Sequence, residues 1–316
     1  MENSSSLNIH PAAALLDAES APRRFVLEPI LEPGTLGLIY GPSGVGKSFL
    51  ALGLALAAAG AGSLLGWTAP RPHKVLYLDG EMRQDAVARR LRLFGPPPPS
   101  LQIWLAAEEE RRLDLSTLDG LHRLVHSETD VDLMIVDSLS SLAGGPLQRD
   151  SERWHELRYY LGLQQRYGRA VVLVHHANRD GALRGTSQRA AAMDVVMALR
   201  RPRDWQPADG ARFELRLEKA RDRTGAALAP LEAQLRTGPD GRARWHWHRG
   251  GSADLRRATP LLQQGMSAEA VARAIGVSPR TAYRLQRQAR ELGWIRAAWR
   301  PPRGKHRGQA LVPSGS

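Results

Sequence analysis

The chain has 316 residues, 42% of them hydrophobic, no cysteine and a formal net charge of +12. Without cysteine, neither disulfides nor thiolate metal sites can hold it together, and its length predicts one large domain plus a small one. The charge is uneven: +9 falls between Gly251 and Ser316, leaving +3 for the first 250 residues. The basic end predicts a polyanionic partner, most simply nucleic acid.

Residues 1–24 read as a flexible arm with a short helix around Ala12 to Glu19, and they lack the basic-then-apolar layout of a signal peptide. Thr35 to Tyr40, apolar and bounded by Pro33-Gly34 and a glycine-rich run, predicts a buried strand. GPSGVGKS, Gly41 to Ser48, then fits the phosphate-binding pattern G-x-x-x-x-G-K-[ST] at every fixed position, in strand, loop and helix context. Its backbone N–H groups, from Gly41, Ser43, Gly44, Val45 and Gly46 onward, suit a phosphate. Lys47 would reach the β and γ phosphates, and Ser48 would hold Mg²⁺. ATP and Mg²⁺ are therefore the expected cofactors.

The helix from Lys47 to about Ala59 is apolar nearly all round, as a helix packed on a sheet would be. Phe49 to Trp67 is long enough to span a membrane, but its four glycines and its place behind the loop favour a buried helix and a turn, so a cytoplasmic protein without a membrane partner is expected. Lys74 to Leu78 predicts a second buried strand ending at Asp79-Gly80-Glu81. An amphipathic helix at Met82 to Phe94 follows, then a proline spacer, a strand at Leu101 to Leu105 and a helix at about Leu118 to His126. Asp132 to Asp137 is apolar and closed by an acid. After it come a helix at Glu152 to Tyr167 and strands at Ala170 to Val174, Val195 to Leu199 and Phe213 to Leu217. A hairpin at Leu231 to Arg236 and Arg242 to His248 closes the series. This alternation predicts an α/β fold with a mainly parallel sheet covered by helices on both faces.

Asp137, after four apolar residues, has the Walker B arrangement, in which a carboxylate beside the loop holds a water of the Mg²⁺ shell. Glu81 is placed to act as general base; Asp79 is its rival, and an ordinary polar turn is the plainer alternative. His175-His176 ends the AVVLV strand. His246 and His248 share a strand face, with Trp245 and Trp247 opposite; two histidines at this spacing suit a metal, but hairpin packing explains them better.

Taken in order, these motifs resemble the RecA/DnaB-type ATPases, and among them the RepA-like hexameric helicases of plasmids and the related mobile-element ATPases. The resemblance covers about Phe25 to Leu235. It implies a RecA-like core, Glu81 as catalytic base, and His176 rather than His175 as sensor of the γ phosphate. Glu218-Lys219-Ala220-Arg221 matches the family's K-x-R pair. Lys219 and Arg221 would then enter a neighbouring subunit's ATP site, with Arg223 as the fallback. The resemblance also implies a homo-oligomeric ring, a hexamer, with single-stranded DNA in its channel. Channel loops would be Gly144 to Ser151 and Asn178 to Gln188, the latter carrying Arg179 and Arg184. Neither loop holds an aromatic residue for base stacking.

Beyond a linker at 249–254, which ends a core domain at 25–248, residues 255–316 resemble a winged helix-turn-helix. Helices are expected at Leu255 to Gln264, Ser267 to Ala274 and Ser278 to Leu292, with Val271, Ile275 and Val277 as core, Gly276 as the turn and Ser278 as N-cap. Arg280, Thr281, Arg284 and Arg287 would meet duplex DNA from the recognition helix, and Arg303 and Lys305 from the wing. The leading expectation is an ATP-dependent replicative-type DNA helicase of a plasmid or mobile element. The alternative is an ATP-regulated DNA-binding regulator or loader that unwinds nothing, and a recombinase-like filament is a weaker third.

Overall fold

The computed structural model describes residues 10–13, 23–111, 113–127, 130–143, 151–177, 187–249, 253–291 and 295. The chain divides into two compact units, Met1–Arg249 and Gly250–Ser316.

The first unit is built on a nine-stranded sheet. In chain order its strands are β1 (Leu36–Gly41), β4 (Val75–Asp79), β5 (Leu101–Leu105), β6 (Leu133–Asp137), β7 (Ala170–His176), β8 (Val195–Arg200), β9 (Arg212–Ala220), β10 (Leu231–Thr237) and β11 (Ala243–Arg249). Two short strands, β2 (Ser63–Leu64) and β3 (Trp67–Thr68), pair by themselves. The spatial order is β11-β10-β9-β8-β1-β7-β6-β4-β5. The six strands from β8 to β5 run parallel, whereas β9, β10 and β11 extend the sheet as antiparallel neighbours.

Strand residues alternate between faces, and two cores result. One gathers Ile39, Tyr77, Ile135, Val172 and Val174 under α1 (Lys47–Ala59), which supplies Leu50, Leu54 and Ala58. The other gathers Leu38, Leu78, Val136 and Leu173 with Leu121 and Leu124 of α3 (Leu118–Ser127) and Trp154, Leu157 and Leu161 of α5 (Ser151–Arg166). Leu91 and Phe94 of α2 (Gln84–Phe94) pack on the α1 side. Short helices α4 (Leu139–Leu142) and α6 (Ser187–Ala192) follow β6 and precede β8. This is the expected α/β arrangement, a mainly parallel sheet with helices on both faces. Among the described residues no helix is long and apolar enough to cross a membrane; Phe49 to Trp67 breaks into α1 and the β2–β3 hairpin.

Two expectations change. Arg249, read as the first linker residue, completes β11 and lies over the Trp247 ring at 5.4 Å, with Nη2 donating to the Leu65 carbonyl at 2.9 Å. Ser187 and Gln188, read as loop, begin α6. In the β10–β11 hairpin, Trp245 meets the Phe213 ring at 5.4 Å.

The second unit packs α7 (Ala253–Gln263), α8 (Ala268–Ile275) and α9 (Pro279–Glu291) around Leu255, Val271, Ile275 and Leu285. Gly276, at φ +72, makes the left-handed turn after α8 that glycine adopts most readily. Ser278 Oγ accepts the Thr281 N–H at 3.2 Å, an N-cap. The expected wing, with Arg303 and Lys305, and most of the residue 1–24 arm lie outside the described residues. So do 144–150 and 178–186, with Arg179 and Arg184.

Candidate nucleotide site

The loop curls because three glycines let it. A Cβ on Gly41 would stand 2.6 Å from the Leu199 carbonyl oxygen, while Gly44 and Gly46 adopt φ +70 and +110. Val45 anchors the loop in the core. Ser43 is exposed above it. Lys47 opens α1 and is only 5% exposed, its Nζ donating to the Gly41 and Pro42 carbonyls at 3.0 and 2.8 Å. Burial pushes this ammonium below its ordinary value, against the opposing pull of Asp137 and Glu81. No acidic residue of α1 itself occupies its first turn, which leaves the positive end of the helix dipole toward the loop.

Alternation on parallel strands delivers the acids. β4 and β6 pair Asp79 with Asp137 at the carboxyl ends of the strands, beside the loop. Burial pushes the Asp137 carboxyl up, while hydrogen bonds from Tyr77 and Ser48 pull it back; the Tyr77 hydroxyl donates to Oδ2 at 2.5 Å. A serine hydroxyl hydrogen-bonded to a carboxylate is a hard-oxygen pair that fits Mg²⁺ through its water shell. Arg90 of α2, whose guanidinium lies 4.7 Å over the Phe49 ring, contributes positive charge to both aspartates.

Glu81 is about half exposed. Its Oε1 accepts a hydrogen bond from Ser138 Oγ at 2.6 Å and lies 3.6 Å from His176 Nε2. Asp79 is 1% exposed, and its Oδ1 accepts the Glu81 and Met82 N–H groups at 2.9 and 2.7 Å. It thus clamps the turn that carries Glu81. The two histidines separate as neighbours on a strand must: His176 turns to the Glu81 side, whereas buried His175 meets Arg189 at 3.4 Å.

The structure therefore brings together Lys47, Ser48, Glu81, Asp137 and His176, but not Lys219 and Arg221. β9 runs against β8, so Ala220 pairs with Val195 at the amino end of the parallel strands. Four residues of β8 separate that end from Leu199, which touches Gly41, a span of about 13 Å. There Lys219 Nζ donates to the Ala190 and Ala191 carbonyls at 3.2 and 2.8 Å, and Arg221 pairs with Asp194 at 3.1 Å. Arg223 donates to the Pro29 and Arg221 carbonyls and to Thr35 Oγ1, at 3.1, 2.7 and 3.0 Å.

In the second unit, Arg280, Arg284 and Arg287 are exposed on α9. The Thr281 hydroxyl lies 2.9 Å from Ser278 Oγ, within the cap.

Tyr77, Ser138, Arg90 and Arg201 are contacts that motif reading passes over. Arg201 Nη2 donates to the Ser43 carbonyl at 3.1 Å. Only the position of Tyr77, two residues before Asp79 on one strand face, carried a sequence signal.

Loop, lysine and paired acid at the carboxyl edge of a parallel sheet define a P-loop nucleotide-binding core. The AAA domain family matches residues 4–182, and the chain belongs to that family. The chain is also similar to the DNA repair protein RadA of Mycolicibacterium smegmatis, 28% identical over 167 residues, which are 53% of this chain and 33% of RadA. The match spans about a third of that relative's length. Among solved structures, it is similar to the flagellar accessory protein FlaH from Methanocaldococcus jannaschii, with 12% identity, TM-score 0.47, 67% of this chain and 89% of that chain covered. For the KaiC-like protein PH0186 from Pyrococcus horikoshii OT3 the values are 17%, 0.48, 69% and 93%.

Proposed function

We propose that the chain is an Mg²⁺-dependent ATPase that assembles as a homo-oligomeric ring, a hexamer, and translocates on single-stranded DNA as a replicative-type helicase of a plasmid or mobile element. The observation that carries this reading is the separation of two sets of charged groups. Lys47, Ser48, Asp137, Glu81 and His176 converge on the loop, while Lys219 and Arg221 lie at the other end of the sheet. A K-x-R pair so placed is out of reach of its own loop, which supports its acting at the site of another copy of the chain. Family membership and the similarity to a DNA repair protein support the same class of activity.

In this reading Lys47 leaves the loop carbonyls for the β and γ phosphates, and Ser48 and Asp137 hold the Mg²⁺ shell. Held there by Ser48 and Asp137, Mg²⁺ would supply neutralisation of phosphate charge. Glu81, oriented by Ser138, takes the proton of the attacking water. His176, beside Glu81, senses the γ phosphate. Arg221 and Lys219 of a neighbouring copy stabilise the charge that spreads over the γ oxygens.

The test is particle mass with Mg²⁺, a non-hydrolysable ATP analogue and single-stranded DNA, followed by ATPase rate and fork unwinding on the same sample. A ring near six copies with DNA-stimulated hydrolysis and strand separation is expected. A monomer or dimer that hydrolyses slowly and ignores single strands contradicts it. A second reading, a regulator that holds a duplex site without unwinding, is favoured by the exposed Arg280, Arg284 and Arg287 on the second helix of a helix-turn-helix. Tight site-specific duplex binding without unwinding would select it.

A further inference from the structure

The acids and hydroxyls around the loop come from one flank of β1, from β7, β6 and β4. On the other flank lie β8 and β9, and the segment joining them, residues 201–211, runs beside the loop. Arg201 touches it through the Ser43 carbonyl. A Cβ on Gly46 would meet Ala211 and Phe213 at 3.1 and 3.2 Å.

This segment is fixed by more bonds than a simple connection needs. Arg212 donates to Glu232 at 2.8 Å, to Asp209 at 2.9 Å and to both oxygens of Asp204 at 3.0 and 3.1 Å. The Gln206 N–H donates to Asp209 at 3.0 Å. Trp205 is held at both ends, its backbone N–H on the Pro202 carbonyl and its Nε1 on the Gly210 carbonyl at 3.3 Å. The Arg201 guanidinium lies 4.3 Å over the indole ring. Arg201 is exposed and Trp205 half-buried, so a flat, cationic and aromatic wall stands in water next to the phosphate loop.

A nucleotide whose terminal phosphate reaches Lys47, Ser48 and Glu81 on one flank must carry its base toward the other. We propose that the Arg201–Trp205 stack is the surface on which the nucleobase lies, and that it selects purines over pyrimidines. Stacking is tolerant of base identity but grows with the area of the ring system, and a guanidinium plane adds a cation–π contribution. The inference rests on the nucleotide-binding reading of the loop and adds to it a base subsite with its own residues.

Calorimetric titration with MgATP, MgCTP and magnesium tripolyphosphate separates the two levels, using wild type, Trp205→Ala, Trp205→Phe and Arg201→Gln, each checked by circular dichroism. Wild type is expected to bind MgATP more tightly than MgCTP. Trp205→Ala should weaken MgATP about tenfold, bring it level with MgCTP and leave tripolyphosphate affinity unchanged. Trp205→Phe should recover most of the loss, and Arg201→Gln should narrow the ATP to CTP difference. Should Trp205→Ala fail to fold, the latter two variants carry the test. Wild-type preference for MgATP persisting in the folded variants overturns the base subsite while leaving the nucleotide reading intact. Wild type that binds neither MgATP nor tripolyphosphate overturns both.

Discussion

The two ends of the parallel strands treat charge in opposite ways. At the carboxyl end, Lys47 and Asp137 are buried, each displaced from its ordinary ionisation by desolvation and held by its neighbours. At the amino end, Arg221 is exposed and Lys219 partly so, and their partners are the mostly buried Asp194, which also accepts the Leu36 N–H and Gln165 Nε2, and two helix-terminal carbonyls. Buried charge costs stability unless bonded or paired, so its retention beside a glycine loop marks chemistry. Arg221 is itself exposed, and Asp194 would keep its bonds from the Leu36 N–H and Gln165 Nε2 if Arg221 left, so on our proposal Arg221 exchanges this partner for a neighbouring copy's phosphate without stranding a buried charge.

Substitutions break this contrast in graded order. Lys47→Ala should lower turnover by about 10³-fold or more, with MgATP binding lost or greatly weakened, as measured by steady-state hydrolysis and calorimetry. Arg221→Ala should lower turnover of the assembled protein by a similar order, about 10³-fold, yet keep nucleotide affinity. Equal hydrolysis by this variant and wild type would remove the trans contact. Glu81→Gln should retain binding and lose about 10²- to 10⁴-fold in single-turnover rate; retained hydrolysis would sink Glu81 as base.

Smaller effects sharpen the picture. Tyr77→Phe deletes the hydrogen bond that holds the Asp137 carboxyl down against burial. Its pKa should therefore rise, moving the acid limb of the ATPase profile to higher pH, and denaturant unfolding should show a loss of about 1–3 kcal/mol. An unmoved acid limb would show that Asp137 does not control it. Arg284→Ala should weaken duplex binding and reduce the salt slope by about one without altering ATP affinity.

Much of the first unit was legible because its signals are local. GPSGVGKS names its own loop, and the runs that became β4, β6 and β7 are short, apolar and bounded by polar residues. The acids at their ends follow from strand polarity. Asp79 against Glu81 was not decided by sequence, since both flank Gly80; only the buried Asx-type turn, with two N–H groups on Asp79, separates them. Arg201 and Trp205 were missed because their meaning depends on β8 lying next to β1, a contact of high sequence separation that no periodicity encodes. The internal partners of Lys219 and Arg221 were equally invisible, since they arise from the antiparallel turn of β9 back along β8.

The most direct test of the central claim is hydrolysis by a mixture of two inactive variants. Lys47→Ala supplies an intact Arg221, and Arg221→Ala supplies an intact loop. If each site is completed by a neighbour, combining them at equal concentration with Mg²⁺ and single-stranded DNA restores part of the wild-type ATPase rate. A mixture no faster than the sum of its separate components would contradict a shared site.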